Sequence, residues 1–399
     1  MNFSDRIKNV NPSMTLAIDA KAKEMKANGE DVIGFGAGEP DFNTPERIKQ
    51  AGIRAIENNE TRYTPVGGSD ALKEAIISKL QRDNGLTYEK NQILASSGAK
   101  HSFYNLAQVL WQTGDEVIIP APYWVSFPEM VTLAGASPLI IYAGAEQDFK
   151  ITPEQIDNAV TPNTKAIIIN SPSNPTGSAY DKSELEKLAE CALRHNLLII
   201  SDEIYEQIVF DGFHHTSIAS ISKEVQKQCV VINGVSKSYA MTGWRIGYIA
   251  AGDPEIVKQV SKLQGQSTSN PCSISQAASI EALTGPHDDV LEMVREFEKR
   301  RDIMVSLLRE IPGVSCNTPK GSFYSFPDFS ALYGKKDANG KALQGSLDFT
   351  EYLLTAKKIA IVPGIAFGAD ANARMSFATS RDKIEEGVKR IKEAVELLT

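Results

Sequence analysis

Between residues 90 and 250, short apolar runs rich in β-branched residues alternate with longer stretches of helical period. The runs at 93–96, 116–120, 138–142, 166–170, 197–202, 230–233 and 246–251 read as strands. Amphipathic segments lie between several of them. In residues 182–195, for example, Leu185, Leu188, Ala189, Ala192 and Leu193 fall on one helix face. This rhythm predicts an α/β fold built on a mostly parallel seven-stranded sheet flanked by helices on both faces. The last run carries Gly247-Tyr248 inside it and is open to antiparallel pairing.

A long helical stretch over 286–310 leads into a smaller α/β part. Its strands read as 323–326, 359–362 and 374–378, and residues 383–398 close it as an amphipathic helix. Residues 334–345 are polar and glycine-rich and read as a mobile surface loop. No disordered linker separates the two parts. Residues 46–310 are therefore assigned to a large domain, and 1–45 with 311–399 to a smaller one.

The chain has 399 residues, of which 42% are hydrophobic and 23% charged, as in soluble globular proteins of two unequal domains. A net charge of −8 without a basic block argues against a nucleic-acid partner. No apolar run is long enough to span a membrane. The charged start at Asp5, Arg6 and Lys8 does not read as a signal peptide. Cys191, Cys229, Cys272 and Cys316 are scattered without a Cys-x-x-Cys pair, which fits reduced thiols in the cytoplasm and no metal site. His214-His215 sits in a turn-rich segment and reads as solvated loop.

The chemically suggestive residues recur where strands end, which is where open parallel sheets bind ligands. Ser97-Gly98-Ala99-Lys100 follows the first strand and opens a helix, offering small residues and free amides to a phosphate. Tyr123-Trp124 follows the second, with a flat indole suited to stacking on a ring. Asn174 lies beyond the fourth, and Asp202 and Tyr205 follow the fifth. Lys237 follows the sixth strand, 35 residues after Asp202, with Ser236 before it and Arg245 eight residues on. An amine for an aldehyde, a guanidinium and a hydroxyl for a phosphate, and a carboxylate for a pyridinium nitrogen are the partners of pyridoxal 5'-phosphate. Gly34-Phe35-Gly36-Ala37-Gly38 lacks dinucleotide-binding spacing, and Glu39-Pro40-Asp41 follows where a helix should start. Its glycines instead let backbone approach a ligand closely.

Six segments carry a resemblance: Gly38-Glu39-Pro40-Asp41-Phe42, Tyr63-Thr64-Pro65-Val66-Gly67, Pro122-Tyr123-Trp124, residues 170–177, Ser201-Asp202-Glu203-Ile204-Tyr205 and the Lys237 run. Together with Val362-Pro363-Gly364 and Arg374-Met375-Ser376-Phe377-Ala378, they make the whole chain resemble class I aminotransferases of fold type I. Within that class it is most similar to the bacterial subgroup Ib of aspartate aminotransferases.

The resemblance implies transamination in two half-reactions, most simply aspartate with 2-oxoglutarate. It implies that Lys237 carries the cofactor and shuttles the proton, that Asp202 keeps the ring nitrogen protonated, and that Tyr205 and Asn174 bond the ring oxygen. It also implies that Trp124 stacks on the ring. Ser236, Arg245, Gly98 and Ala99 would hold the phosphate together with Tyr63 of the partner subunit in a homodimer. Arg374 would clamp the α-carboxylate, aided by Asn174 and Gly38, and Lys100 would meet a distal carboxylate. Ser13 and Thr15 match a segment that closes over the substrate. The same resemblance implies a cis peptide between Asn174 and Pro175.

No residue matches the arginine that other aspartate aminotransferases borrow from the partner subunit, so aromatic, prephenate and broad-range aminotransferases stay open. A β-elimination lyase or cyclopropane-forming synthase of the same fold would keep the same cofactor residues. A regulator with a DNA-binding head does not fit an acidic chain that enters the match within about ten residues of its start.

Overall fold

The structure is a computed structural model and describes residues 3–12 and 14–399, without the side chains of residues 16 and 19. Seven strands form the main sheet in the order Ile93–Ser96, Gly247–Ala251, Cys229–Gly234, Leu198–Asp202, Thr164–Asn170, Glu116–Ala121 and Ser137–Tyr142. Five run parallel. Gly247–Ala251 is antiparallel to both of its neighbours, the pairing that its internal glycine left open. The strand ends agree with the sequence pattern to within two residues.

The sheet is covered on both faces, and its strands alternate between two cores. Ile167, Ile169, Ile199 and Val231 join one apolar cluster, while Ala166, Ile168, Ile200, Val230 and Ile232 join the other. Period-two alternation of apolar residues with no polar face is what burial on both sides requires. Helix Lys182–Arg194 shows how locally the covering layer is written. Asp181 accepts the Glu184 amide, Glu184 returns the bond to the Asp181 amide, and Leu185, Leu188, Ala189 and Ala192 turn inward.

A third core belongs to the smaller part. Ile33–Gly34 pairs in parallel with Ile359–Ala360, so the start of the chain joins its last third. Tyr324–Ser325, Ala373–Ser376 and Val362–Pro363 make a three-stranded antiparallel sheet. Phe35, Phe323, Phe349, Met375 and Ile391 fill the space beneath Arg381–Glu396, together with Phe297, Met304 and Leu308 of the long helix Asp288–Arg309. Residues 334–345 are tied down, contrary to the free loop their composition predicts. Lys336 and Thr399 exchange backbone hydrogen bonds of 2.8 and 3.1 Å, and Leu343 is buried. Among the described residues, no helix is long and apolar enough to cross a membrane.

One buried polar cluster braces the sheet behind the ligand edge. Lys79, 1% exposed, pairs with the buried carboxylate of Glu206, which also accepts from Asn84 (2.8 Å) and Asn233 (2.7 Å). Removing one member of a buried pair leaves the other charge without compensation, at a cost of about 3–5 kcal/mol. Lys79→Met should therefore lower stability to chemical denaturation by that amount, whereas Lys182→Met at an exposed site should change it by well under ~1 kcal/mol. A loss at Lys79 no larger than at Lys182 would show that the pair does not support the fold.

Candidate active site

Register places the chemistry. Asn170 and Asp202 are direct neighbours at the ends of adjacent parallel strands. The Asn170 side chain and the Ser171 amide both donate to the Asp202 carbonyl, at 3.1 and 3.2 Å. The Asp202 carboxylate accepts the Ile204 amide at 3.2 Å. Burial pushes this carboxyl up to about 7, and the charge of Glu203 adds to the rise, against the Ile204 amide and Lys237. Three residues on, the Tyr205 hydroxyl lies 3.1 Å from that of Tyr324, and burial raises its proton affinity well above the ordinary phenol.

Lys237 stands in the turn after Cys229–Gly234, and its amine donates to the Gly38 carbonyl. Burial pushes the ammonium down to about 8. The cations Arg374 and Arg245 push the same way, opposed by Glu39 and Asp202. Glu39 is itself held by a 2.8 Å bond from Thr242.

The start of helix Ala99–Leu110, the start of the antiparallel strand and Arg245 are forced against one another. Gly98 has φ 93, and a Cβ there would lie 2.4 Å from Arg245 Nη2. A Cβ on Gly247 would lie 2.1 Å from the Ala99 amide nitrogen. Only glycine fits at either place. Arg245 donates to the Thr242 carbonyl (2.9 Å) and the Ser97 carbonyl (3.3 Å), which aims it across the helix start, and Ser236 is buried nearby on the same cavity. First-turn amides and a guanidinium together make a cradle for an anion.

Arg374, 4% exposed, crosses from the smaller part. It donates to Asn174 Oδ1 (3.0 Å) and the Gly36 carbonyl (2.8 Å) and lies 4.4 Å from the centre of the Tyr324 ring. Among the described residues, its Nε has no hydrogen-bond partner. A buried guanidinium with an unused donor is prepared for a carboxylate. The Asn174–Pro175 bond is cis, and so are Ala121–Pro122 and Ser171–Pro172, which the sequence did not flag. Lys100 Nζ sits 5.0 Å above the Trp124 ring, and burial lowers its proton affinity, with Arg245 adding to the fall.

These groups line one cavity of about 500 Å³. It gathers Gly38, Ala99, Lys100, Trp124 and Asn174 with Asp202, Tyr205, Ser236, Lys237, Arg245 and Arg374, and Gly98 backs the cradle. Thr15 also lines it, and Ser13 lies outside the described residues. Tyr63 does not reach it within this chain and stands 91% exposed. The sequence reading missed Tyr324, Lys23 and Lys26, which have no local signal, and gave no role to Glu39 or Thr242 inside the quoted motifs. It also took His215 for solvated loop. That side chain is 7% exposed and lies 3.4 Å from the buried Glu203, because the turn folds back over the strand end.

The model for aminotransferase class I and II matches residues 30–391. An aspartate aminotransferase of Bacillus sp. (strain YM-2) is 53% identical, over 98% of this chain and 98% of its own. An aspartate/prephenate aminotransferase of Cereibacter sphaeroides is 48% identical, over 98% of this chain and 97% of its own. The crystal structure of an aspartate aminotransferase from Rhizobium meliloti superposes with a TM-score of 0.97 at 42% identity, covering 100% of both chains. With cavity, sheet order and sequence in agreement along its length, this chain belongs to the class I and II aminotransferases.

Proposed function

We propose that this protein transfers the amino group of aspartate to 2-oxoglutarate, using pyridoxal 5'-phosphate, in a cytoplasmic homodimer. The observation that carries the reading is a pair of anion clamps, Arg245 with the Ala99 helix start and Arg374 with its unused Nε, on one cavity. Lys237 lies within electrostatic reach of both. The residues fit the cofactor. The Gly98 and Gly247 cradle leaves backbone room for a phosphate, and a cavity of about 500 Å³ is of ligand-binding size. When bound, pyridoxal phosphate supplies an aldehyde that condenses with amines and a ring that withdraws electrons from the adjoining carbon.

Each side chain then has a distinct task. Ser236, Arg245 and the amides of Gly98 and Ala99 would hold the phosphate, joined by Tyr63 of the partner subunit. The exposure of Tyr63 in a single chain supports that pairing. Asp202, ionised beside a cationic ring nitrogen, would hold a proton on that atom. Asn174 spends its Oδ1 on Arg374, which leaves its amide N–H to join the Tyr205 hydroxyl at the ring oxygen. Trp124 would flank the ring. Lys237 Nζ, free of its proton above about pH 8, would take the proton from the substrate Cα. Arg374 would grip the α-carboxylate and Lys100 the distal one. The paired segments Ile33–Gly34 and Ile359–Ala360 support a smaller domain of 1–45 with 311–399, set against 46–310. Four free cysteines support a cytoplasmic setting.

A second reading, an enzyme that also takes aromatic or prephenate-like substrates, is favoured by the position of Lys100. It rests on the Trp124 face without a carboxylate partner among the described residues, so an aromatic wall is available when it swings aside.

The two readings separate in a panel of amino donors assayed against 2-oxoglutarate, with oxaloacetate as the acceptor for glutamate. Loss of a charge-assisted hydrogen bond costs about 1.5–3 kcal/mol, so Lys100→Ala should lower kcat/KM for aspartate and glutamate roughly tenfold to a hundredfold. Alanine and phenylalanine should change little, while Arg374→Ala should weaken every donor. Equal losses for all donors in Lys100→Ala would remove the dicarboxylate assignment.

The amine also makes a pH prediction. A lysine pushed down to about 8 from the ordinary 10.5 is the attacking neutral amine above that pH. Pyridoxal phosphate uptake by the cofactor-free protein should therefore rise with pH to a midpoint near 8. Arg374→Ala, which removes a like charge, should move that midpoint upward. A midpoint near 10.5, or cofactor trapped by borohydride on another lysine, would contradict the role of Lys237.

A further inference from the structure

The helix Met14–Ala27 presents one stripe to the cavity. Thr15, Ala22 and Lys26, seven and four residues apart, share that face with Lys23. Both lysines are exposed, so they stand at the cavity mouth rather than in its depth. Neither makes an ion pair among the described residues. The chain as a whole carries 50 acidic against 42 basic side chains, yet lysines and arginines outnumber carboxylates three to one on the lining of this cavity. The four deeper cations each have a ligand group to meet. Lys23 and Lys26 have none.

We propose that Lys23 and Lys26 form a cationic collar that steers doubly charged acids into the cavity and so sets part of the specificity through the rate of capture. This rests on the dicarboxylate reading above and adds to it residues that touch no bound group. A protein of net charge −8 repels dianions at long range. The collar reverses the local field over about a Debye length, which is ~10 Å at 0.1 M salt and ~30 Å at 0.01 M. Fields of this kind raise association rates by roughly 10- to 1,000-fold in strongly focused clefts. Two exposed charges belong at the low end of that range.

The test is the ionic-strength dependence of kcat/KM in the cofactor-loaded enzyme, for 2-oxoglutarate as acceptor and for alanine, which has no net charge, as donor. In the native protein, kcat/KM for 2-oxoglutarate should fall steeply as salt rises from about 0.01 to 0.3 M. The charge reversal K23E/K26E should cut it about tenfold at low salt and flatten the salt slope, with K23Q/K26Q between the two. Alanine should change by less than about twofold. Succinate binding, followed by the change in absorbance of the bound cofactor, should weaken in the same order and only at low salt. Parallel salt slopes in native and reversed proteins, or equal losses for alanine and 2-oxoglutarate, would overturn the collar. If the native protein shows no preference for dicarboxylates, the collar falls together with the reading beneath it. A native preference with unchanged slopes removes the collar alone.

Discussion

Like charges held together against their mutual repulsion are the constraint on which this molecule turns. Lys237, Arg245, Arg374 and Lys100 face one cavity, and among the described residues lining it only Asp202 and Glu39 oppose them. The strain shows in the groups themselves. Lys237 is pushed down to about 8, chiefly by burial and then by its two arginine neighbours, and Lys100 is depressed by burial and by Arg245. Protein charge does not balance such a cluster, so anions bound there would balance it and stabilise the fold by linkage. A phosphate and two carboxylates are the charges that would do so.

The backbone makes the crowding possible. Gly247 and Gly98 let an antiparallel strand, a helix start and Arg245 meet without side chains between them. Across the sheet, the segment from Asp202 to Glu206 divides its work by direction. Asp202 and Tyr205 look into the cavity, while Glu203 and Glu206 point into buried clusters. Glu203 accepts from Ser201 (2.8 Å) and Ser217 (2.7 Å), and Glu206 pairs with Lys79. The groups proposed to do chemistry are therefore fixed from behind by buried polar groups, which is how a site keeps its geometry when its own charges repel.

How much was legible in the sequence follows from how local each feature is. Strand alternation in residues 164–170, the capping box at Asp181 and the glycine inside 247–251 are written within a few residues, and they set the sheet and its odd strand. The lysine and aspartate of the site were legible because each sits at or just after a strand end, and parallel strands bring those ends to one edge. What depends on distant pairing was not legible. Nothing near Tyr324 announces its contact with Tyr205, 119 residues away. The composition of residues 334–345 says loop, yet Thr399 pins it. His215 reads as polar turn until the fold lays it against Glu203. The stripe of Lys23 and Lys26 acquires meaning only once helix Met14–Ala27 lies along the cavity.

The central claim is that this cavity moves an amino group and keeps it until a second oxo acid arrives. A rapid-quench experiment measures that directly, mixing the cofactor-loaded protein with excess aspartate and no acceptor. The account predicts one equivalent of oxaloacetate per subunit, then arrest, with turnover restored on adding 2-oxoglutarate. Continued release of ammonia and fumarate without an acceptor, the redox-neutral elimination open to aspartate, would contradict it and make the protein a lyase on the same fold.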